Sequence, residues 1–274
     1  MIAPATLPEA YEKWNRRWHA PNGKSVPFGG PLSWSLPALW FRGPFAVQPN
    51  SETRRFEYPW AYEQLTRLPV GAIVVEIGGG LSGFQFVMGH DGYDVTNVDP
   101  GLAAKGRGWI VTPGKHKSLS RLFRGPVKLI SRVLEDAEIP TRSVDGIVCI
   151  STLEHLTPSD LEGVAKSVKA ILKPEGVMIL TVDLFLDLYP FTTRTVNQWG
   201  TNINIREFLD LAGLDLVMGD RYQLFGFPEF DRDDILERQK EFISGSGATA
   251  LAQCFVAKPH KSVLSAKAEM PQSR

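Results

Sequence analysis

The chain has 274 residues, 43% of them hydrophobic and 22% charged, with thirty basic and thirty acidic side chains. That length supports one large α/β core with a small appended unit, and a net charge of zero gives no bulk attraction to nucleic acid or membrane. Cys149 and Cys254 stand far apart in strand-like segments, which argues against a disulfide framework or a cysteine zinc site. No apolar run reaches the ~18 residues of a spanning helix, and residues 1–8 lack the basic and apolar regions of a signal peptide. Cytoplasmic residence is the expectation.

Residues 1–69 hold ten of the twenty prolines and five of the seven tryptophans (Trp14, Trp18, Trp34, Trp40 and Trp60). Such a segment breaks regular structure while its rings demand burial, so it reads either as a wrap completing the core or as a lid. A helix is expected over 57–68, presenting Trp60, Tyr62 and Leu65. From residue 70 strand and helix signals alternate. Strands are expected at 72–75, 177–182, 214–218 and 251–257. Helices are expected at 82–90, 163–172 and 205–212, the last closed by Gly213. The pattern implies a doubly wound, mostly parallel α/β sheet over 70–258, with a polar, disordered tail at 259–274. Residues 101–133 carry eight Lys and Arg and no acid. They read as a basic insertion of loops and a short helix: a solvated surface, or a site for an anionic acceptor. Nucleic acid fits it poorly, because only Trp109 and Phe123 offer stacking rings.

The richest stretch is Val74-Val75-Glu76-Ile77-Gly78-Gly79-Gly80-Leu81-Ser82-Gly83. Gly78, Gly80 and Gly83 satisfy G-x-G-x-x-G, and Asp99 follows at the distance of a ribose-binding acid, so a nicotinamide dinucleotide fits the spacing. Glu76 does not fit that ligand, since a carboxylate there would repel a pyrophosphate. It suits S-adenosylmethionine, which brings an ammonium and a sulfonium. The segment resembles motif I of class I S-adenosylmethionine-dependent methyltransferases of the small-molecule and glycan type. Three later segments resemble that family in order: Val95–Asp99, Glu135–Pro140 and Asp145–Leu156.

The resemblance implies a seven-stranded sheet with its last strand inserted antiparallel beside strand six. It also implies a cofactor site of Glu76, Gly78, Gly79, Gly80, Asp99, Asp136, Ala137 and Ser151. Asp99 would take the ribose hydroxyls, Asp136 the adenine amino group, and the Ala137 N–H the adenine ring. The family usually has glycine where Ser82 stands. Arg54 or Arg55 could reach the methionine carboxylate, or could simply face solvent.

Methyl transfer from a sulfonium is an in-line displacement. The protein aligns the acceptor and, for a hydroxyl, removes its proton. His155, in the loop after the fourth strand, is the first candidate base, with a helix-capping role as its alternative. Asp183, at the end of the fifth strand, is the second, with an Asx turn as its alternative. The Glu154-His155 pair resembles the ubiquinone-biosynthesis type of O-methyltransferase loop, but Ser151 stands where that loop has another carboxylate. A hard cation would lose a ligand, so no metal is expected. His19, His90, His116 and His260 read as structural or exposed. A nicotinamide oxidoreductase and a catalytically silent cofactor-binding protein remain as readings from outside methyl transfer.

Overall fold

A computed structural model describes residues 1–27, 29–101, 110–245 and 249–260. Seven strands form one sheet: β1 (Ile73–Ile77), β2 (Asp94–Val98), β3 (Val127–Ile130), β4 (Val144–Ile150), β5 (Leu172–Phe185), β6 (Leu214–Met218) and β7 (Ala250–Pro259). Their order is β3-β2-β1-β4-β5-β7-β6. Only β7 runs against its neighbours, pairing antiparallel with β5 and β6. The order reverses between β1 and β4, so both strands end beside the crevice where such sheets bind ligands.

Eight helices flank the sheet among the described residues: α1 (Glu9–Trp18), α2 (Leu36–Arg42), α3 (Arg54–Leu65), α4 (Gly83–His90), α5 (Pro113–Leu122), α6 (Pro158–Ile171), α7 (Ile205–Ala212) and α8 (Arg232–Glu237). Alternate strand residues feed opposite faces. Val75 and Ile77 join α6 and α7 in one core cluster, while Val74 joins α3 and α4 in the other. None of these helices is long and apolar enough to cross a membrane.

The helix expected over 57–68 instead spans Arg54–Leu65, with Pro59 inside it. Pro59 has no N–H to give the carbonyl four residues back. Asn15 Nδ2 takes that role, donating to the Arg55 carbonyl at 2.7 Å, so a side chain of α1 repairs the defect. The helix expected at 163–172 starts earlier, at Pro158, with the Thr157 side chain accepting from the Asp160 N–H as its cap. Residues 173–176 form a register shift between β4 and β5, where Val144 pairs with Leu172 and Gly146 with Val177.

Two further expectations need correction. Residues 101–133 are not simply loops and a short helix, because they supply β3, the edge strand paired in parallel with β2. Burial also fails for two tryptophans. Trp60 is buried, but Trp34 and Trp40 are 53% and 65% exposed. The tail expected at 259–274 falls outside the described residues from 261 onward.

Candidate functional site

Gly78 follows the end of β1 with φ +70°, and a Cβ there would lie 2.3 Å from Thr152 Cγ2, so only glycine fits. The next N–H groups are all engaged within the protein. Gly78 donates to the Val98 carbonyl (2.9 Å) and Ser82 to the Gly79 carbonyl (2.9 Å). Gly79 donates to Asn97 Oδ1 (3.2 Å), Gly80 to Asp99 Oδ2 (2.7 Å) and Leu81 to Gln48 Oε1 (2.8 Å). A pyrophosphate cradle needs such donors turned outward. This loop has spent them inward.

Glu76 lies beneath the loop, 2% exposed. Its Oε1 accepts from Ser82 Oγ at 3.3 Å, and its Oε2 has no partner. Burial pushes its pKa up to about 8; the Ser82 bond lowers it and nearby Asp99 raises it. A buried acceptor without a donor is costly, and a ligand ammonium would supply both donor and charge. Ser82 thus uses the hydroxyl that the family's usual glycine would lack.

Asp99 caps β2. Beyond Gly80, it accepts from the Gly101 N–H at 2.7 Å, and each carboxylate oxygen keeps a second lone pair for a ribose hydroxyl. Asp136 closes a single 3-10 turn with its side chain exposed. The Ala137 N–H is already turned to the Leu134 carbonyl at 3.2 Å, so Asp136 presents the better hydrogen-bonding group of that pair.

A polar network underlies the loop, and the sequence reading missed it. Asn97 Nδ2 donates to the Gly80 carbonyl and to Gln85 Oε1, both at 3.0 Å. Gln85 Nε2 donates to the carbonyls of Gly80 and Ser82, both at 3.2 Å. His116 Nε2 lies 2.7 Å from Gln85 Oε1, an atom that only accepts, so this nitrogen carries the proton. Burial lowers the His116 pKa, which favours the neutral ring. His116 thereby ties α5 to the glycine loop. His116→Ala is expected to cost ~0.5–1.5 kcal/mol of stability by removing one of the two donors to buried Gln85 Oε1; thermal unfolding beside wild type checks this.

The second half of the site is an acid-rich cluster at the ends of β4 and β5. Arg54 of α3 turns inward, its side chain only 13% exposed, and pairs with Glu57, which is fully buried. Arg55 faces solvent at 51%. Arg54 Nη1 also donates to Ser151 Oγ at 2.8 Å. Ser151 Oγ lies 2.9 Å from Glu57 Oε2 and 3.3 Å from Asp183 Oδ1, two competing acceptors for one proton. Thr181 Oγ1 donates to Glu57 as well. Glu154 accepts from the Asp183 N–H at 3.1 Å through Oε1, while its Oε2 lacks a partner. Ser151 holds φ +40°, a strained conformation for a residue with a side chain.

One guanidinium therefore serves three carboxylates. Burial raises Glu154 to about 7, and burial together with the Glu154 charge raises Asp183, while Arg54 pulls both down. The register explains the placement: Ile150 pairs with Thr181, so Asp183 projects two residues past the end of β4. His155 is exposed beside it, with Nδ1 against the Trp199 carbonyl. Because a carbonyl only accepts, Nδ1 bears the proton. Sequence reasoning missed Glu57 and Thr181. The available signal was an acid set among Phe56, Tyr58 and Ala61 in a helix that buries eight of its twelve residues.

A cavity of about 250 Å³ bordered by Arg206, Asp210, Asp215 and Arg221 lies at β6, the far edge of the sheet. It shares no residue with either half of this site.

A family model described as a methyltransferase domain matches residues 54–220. Two uncharacterized proteins of Mycobacterium tuberculosis strains are 29% identical over 123 residues, 44% of this chain and 39% of theirs. The match thus spans well under half the length of these curated relatives. Among solved structures, the cyclase SpnF aligns with TM-score 0.53 at 12% identity, covering 94% of this chain and 99% of that one. A protein of Pyrococcus horikoshii aligns with TM-score 0.50 at 15% identity, covering 77% and 92%. The 1,6-didemethyltoxoflavin-N1-methyltransferase of Burkholderia thailandensis, solved with S-adenosylhomocysteine, aligns at 0.48 with 17% identity over 94% of each chain.

Proposed function

The chain belongs to the class I S-adenosylmethionine-dependent methyltransferase family, and on that premise we propose that it methylates a hydroxyl of a small-molecule, sugar or glycan acceptor. The observation that carries this reading is Glu76: a buried carboxylate with an unpartnered oxygen, beneath a loop whose N–H groups are already engaged. That arrangement suits a cation and disfavours the pyrophosphate of a nicotinamide dinucleotide.

When bound, S-adenosylmethionine supplies an activated methyl on a sulfonium. Glu76 would receive the ammonium, Asp99 the ribose hydroxyls and Asp136 the adenine amino group, with Gly78, Gly79 and Gly80 allowing close approach. Arg54, held by Glu57 and Ser151, would meet the methionine carboxylate. In this reading residues 1–69 do more than wrap the core, because α3 delivers Arg54 and Glu57. Residues 70–258 form the cofactor-binding unit.

Asp183 is the proton acceptor we favour for the acceptor hydroxyl. Its raised pKa lets it take a proton near neutral pH, and it stands beside Ser151 at the crevice. His155, second in this reading, has Nδ1–H occupied by the Trp199 carbonyl and would act through Nε2. No step needs a metal, so a chelator is expected to leave turnover unchanged.

Calorimetry with S-adenosylhomocysteine and with NAD tests the reading. Binding of the first alone supports it, whereas binding of NAD alone overturns it. Asp99→Ala should lower S-adenosylhomocysteine affinity at least ~tenfold, because hydrogen bonds to a charged group are worth ~1.5–3 kcal/mol. The same titration on the variant reads that loss; unchanged affinity removes Asp99 from the site.

A further inference from the structure

The zero net charge hides a strong asymmetry. Residues 13–51 and 100–134 contain thirteen of the thirty Lys and Arg and no Asp or Glu. The two segments meet in the fold. Leu39 of α2 and Leu119 of α5 share one buried cluster with Val47, Phe86 and Leu81 of the glycine loop.

Outside that cluster the first segment exposes what it should bury. Leu32 is 70% exposed, Trp34 53%, Leu36 55%, Trp40 65% and Phe41 46%. Five large apolar side chains within ten residues exceed the scattered singles of an ordinary surface. Cations lie against the rings: Lys24 Nζ sits 4.2 Å from the Phe41 centroid and the Arg42 guanidinium 5.2 Å from Trp34. On α5, Lys115, Lys117 and Arg121 are exposed, as is Arg124 just after it. Among the described residues none of these four is paired with a carboxylate, while Lys128 and Arg132 are.

We propose that residues 32–41 and the exposed face of α5 form a docking surface for an anionic lipid membrane. Tryptophan, phenylalanine and leucine enter the boundary between headgroups and acyl chains, while flanking Lys and Arg meet anionic headgroups. The aliphatic members favour a bilayer over nucleic acid. Leu32 and Leu36 cannot stack on bases, whereas single-strand readers rely on rings in a basic groove. Leu81 roots the surface beside the glycine loop, so a bilayer docked there would lie next to the proposed cofactor site.

Cosedimentation of the full chain with vesicles tests this, using phosphatidylcholine alone and phosphatidylcholine mixed with phosphatidylglycerol. Wild type should partition at least ~tenfold more strongly to the anionic vesicles, with added salt erasing the difference. Leu36→Ser with Trp40→Ser should cut partitioning ~tenfold or more through lost apolar insertion. Lys115→Glu with Lys117→Glu should remove the preference for anionic lipid, at about fivefold per charge lost. All four positions are exposed, so the variants should keep the wild-type melting temperature.

Equal and negligible sedimentation with both vesicles overturns the proposal, as does binding that both double variants leave unchanged. Two other results also overturn it: tighter binding to a single-stranded RNA oligonucleotide, or a dimer that Leu36→Ser with Trp40→Ser dissociates. Vesicle binding needs neither cofactor nor turnover, so its failure leaves the methyl-transfer reading untouched.

Discussion

Glu76→Gln is expected to weaken cofactor binding by ~10–100-fold while making the ligand-free protein more stable at alkaline pH. The affinity loss follows from removing a carboxyl that the ammonium ionises and bonds, an interaction of ~1.5–3 kcal/mol. The gain in stability follows from linkage. Burial holds the Glu76 pKa at about 8 in the folded chain, against 4.5 as its ordinary value. Between those two values the folded state keeps a proton that the unfolded state releases. Stability contributed by the protonated form is therefore complete below the lower value, falls as pH rises through the window, and levels off above about 8. Glutamine carries no such proton. Near pH 4 the variant and wild type should melt alike, and near pH 9 the variant should be more stable by on the order of a few kcal/mol. Glu154, also raised by burial, keeps part of the slope in both proteins. Thermal unfolding across this range, with calorimetry of S-adenosylhomocysteine at neutral pH, reads both effects. A variant less stable than wild type at pH 9 would show that Glu76 serves the fold and not a ligand.

The opposed signs of these two effects are what a site held ready for a cation should show, and part of that arrangement was legible in the sequence. The acid before the glycines was legible because strand, turn and charge are local in the chain. Asp99 and the strand pattern were legible for the same reason, as were α7 and β6 with both of their ends. The acid-rich cluster was not. Arg54 and Glu57 lie about a hundred residues from Ser151 and more from Thr181 and Asp183, and no local period announces a contact of that separation. His116 was hidden differently. Its neighbours in sequence are lysines, which read as a solvated face, yet the helix turns it inward at 2% exposure. The edge strand β3 escaped because its half-buried residues alternate weakly within a segment dominated by charge.

Asp183→Asn is expected to lower turnover by ~10²–10⁴-fold, the usual worth of a positioned base, with cofactor affinity nearly unchanged. The asparagine keeps the shape and can still accept from Ser151, but it cannot take a proton. Wild-type kcat/KM should rise with pH on a limb displaced above the ordinary carboxylate range, because burial and the Glu154 charge raise the Asp183 pKa and only the deprotonated form is competent. That limb should vanish in the variant. His155→Ala separates the alternatives. If its Nε2 were the base, the alanine variant would lose as much turnover as Asp183→Asn and would abolish the limb itself. If its Nδ1–H chiefly anchors the loop through the Trp199 carbonyl, the expected cost is ~1 kcal/mol of stability with turnover reduced only severalfold. Turnover, melting temperature and pH profile of the two variants with a methylatable acceptor decide between them. Near-normal turnover in Asp183→Asn together with a collapse in His155→Ala would move the proton transfer to the histidine.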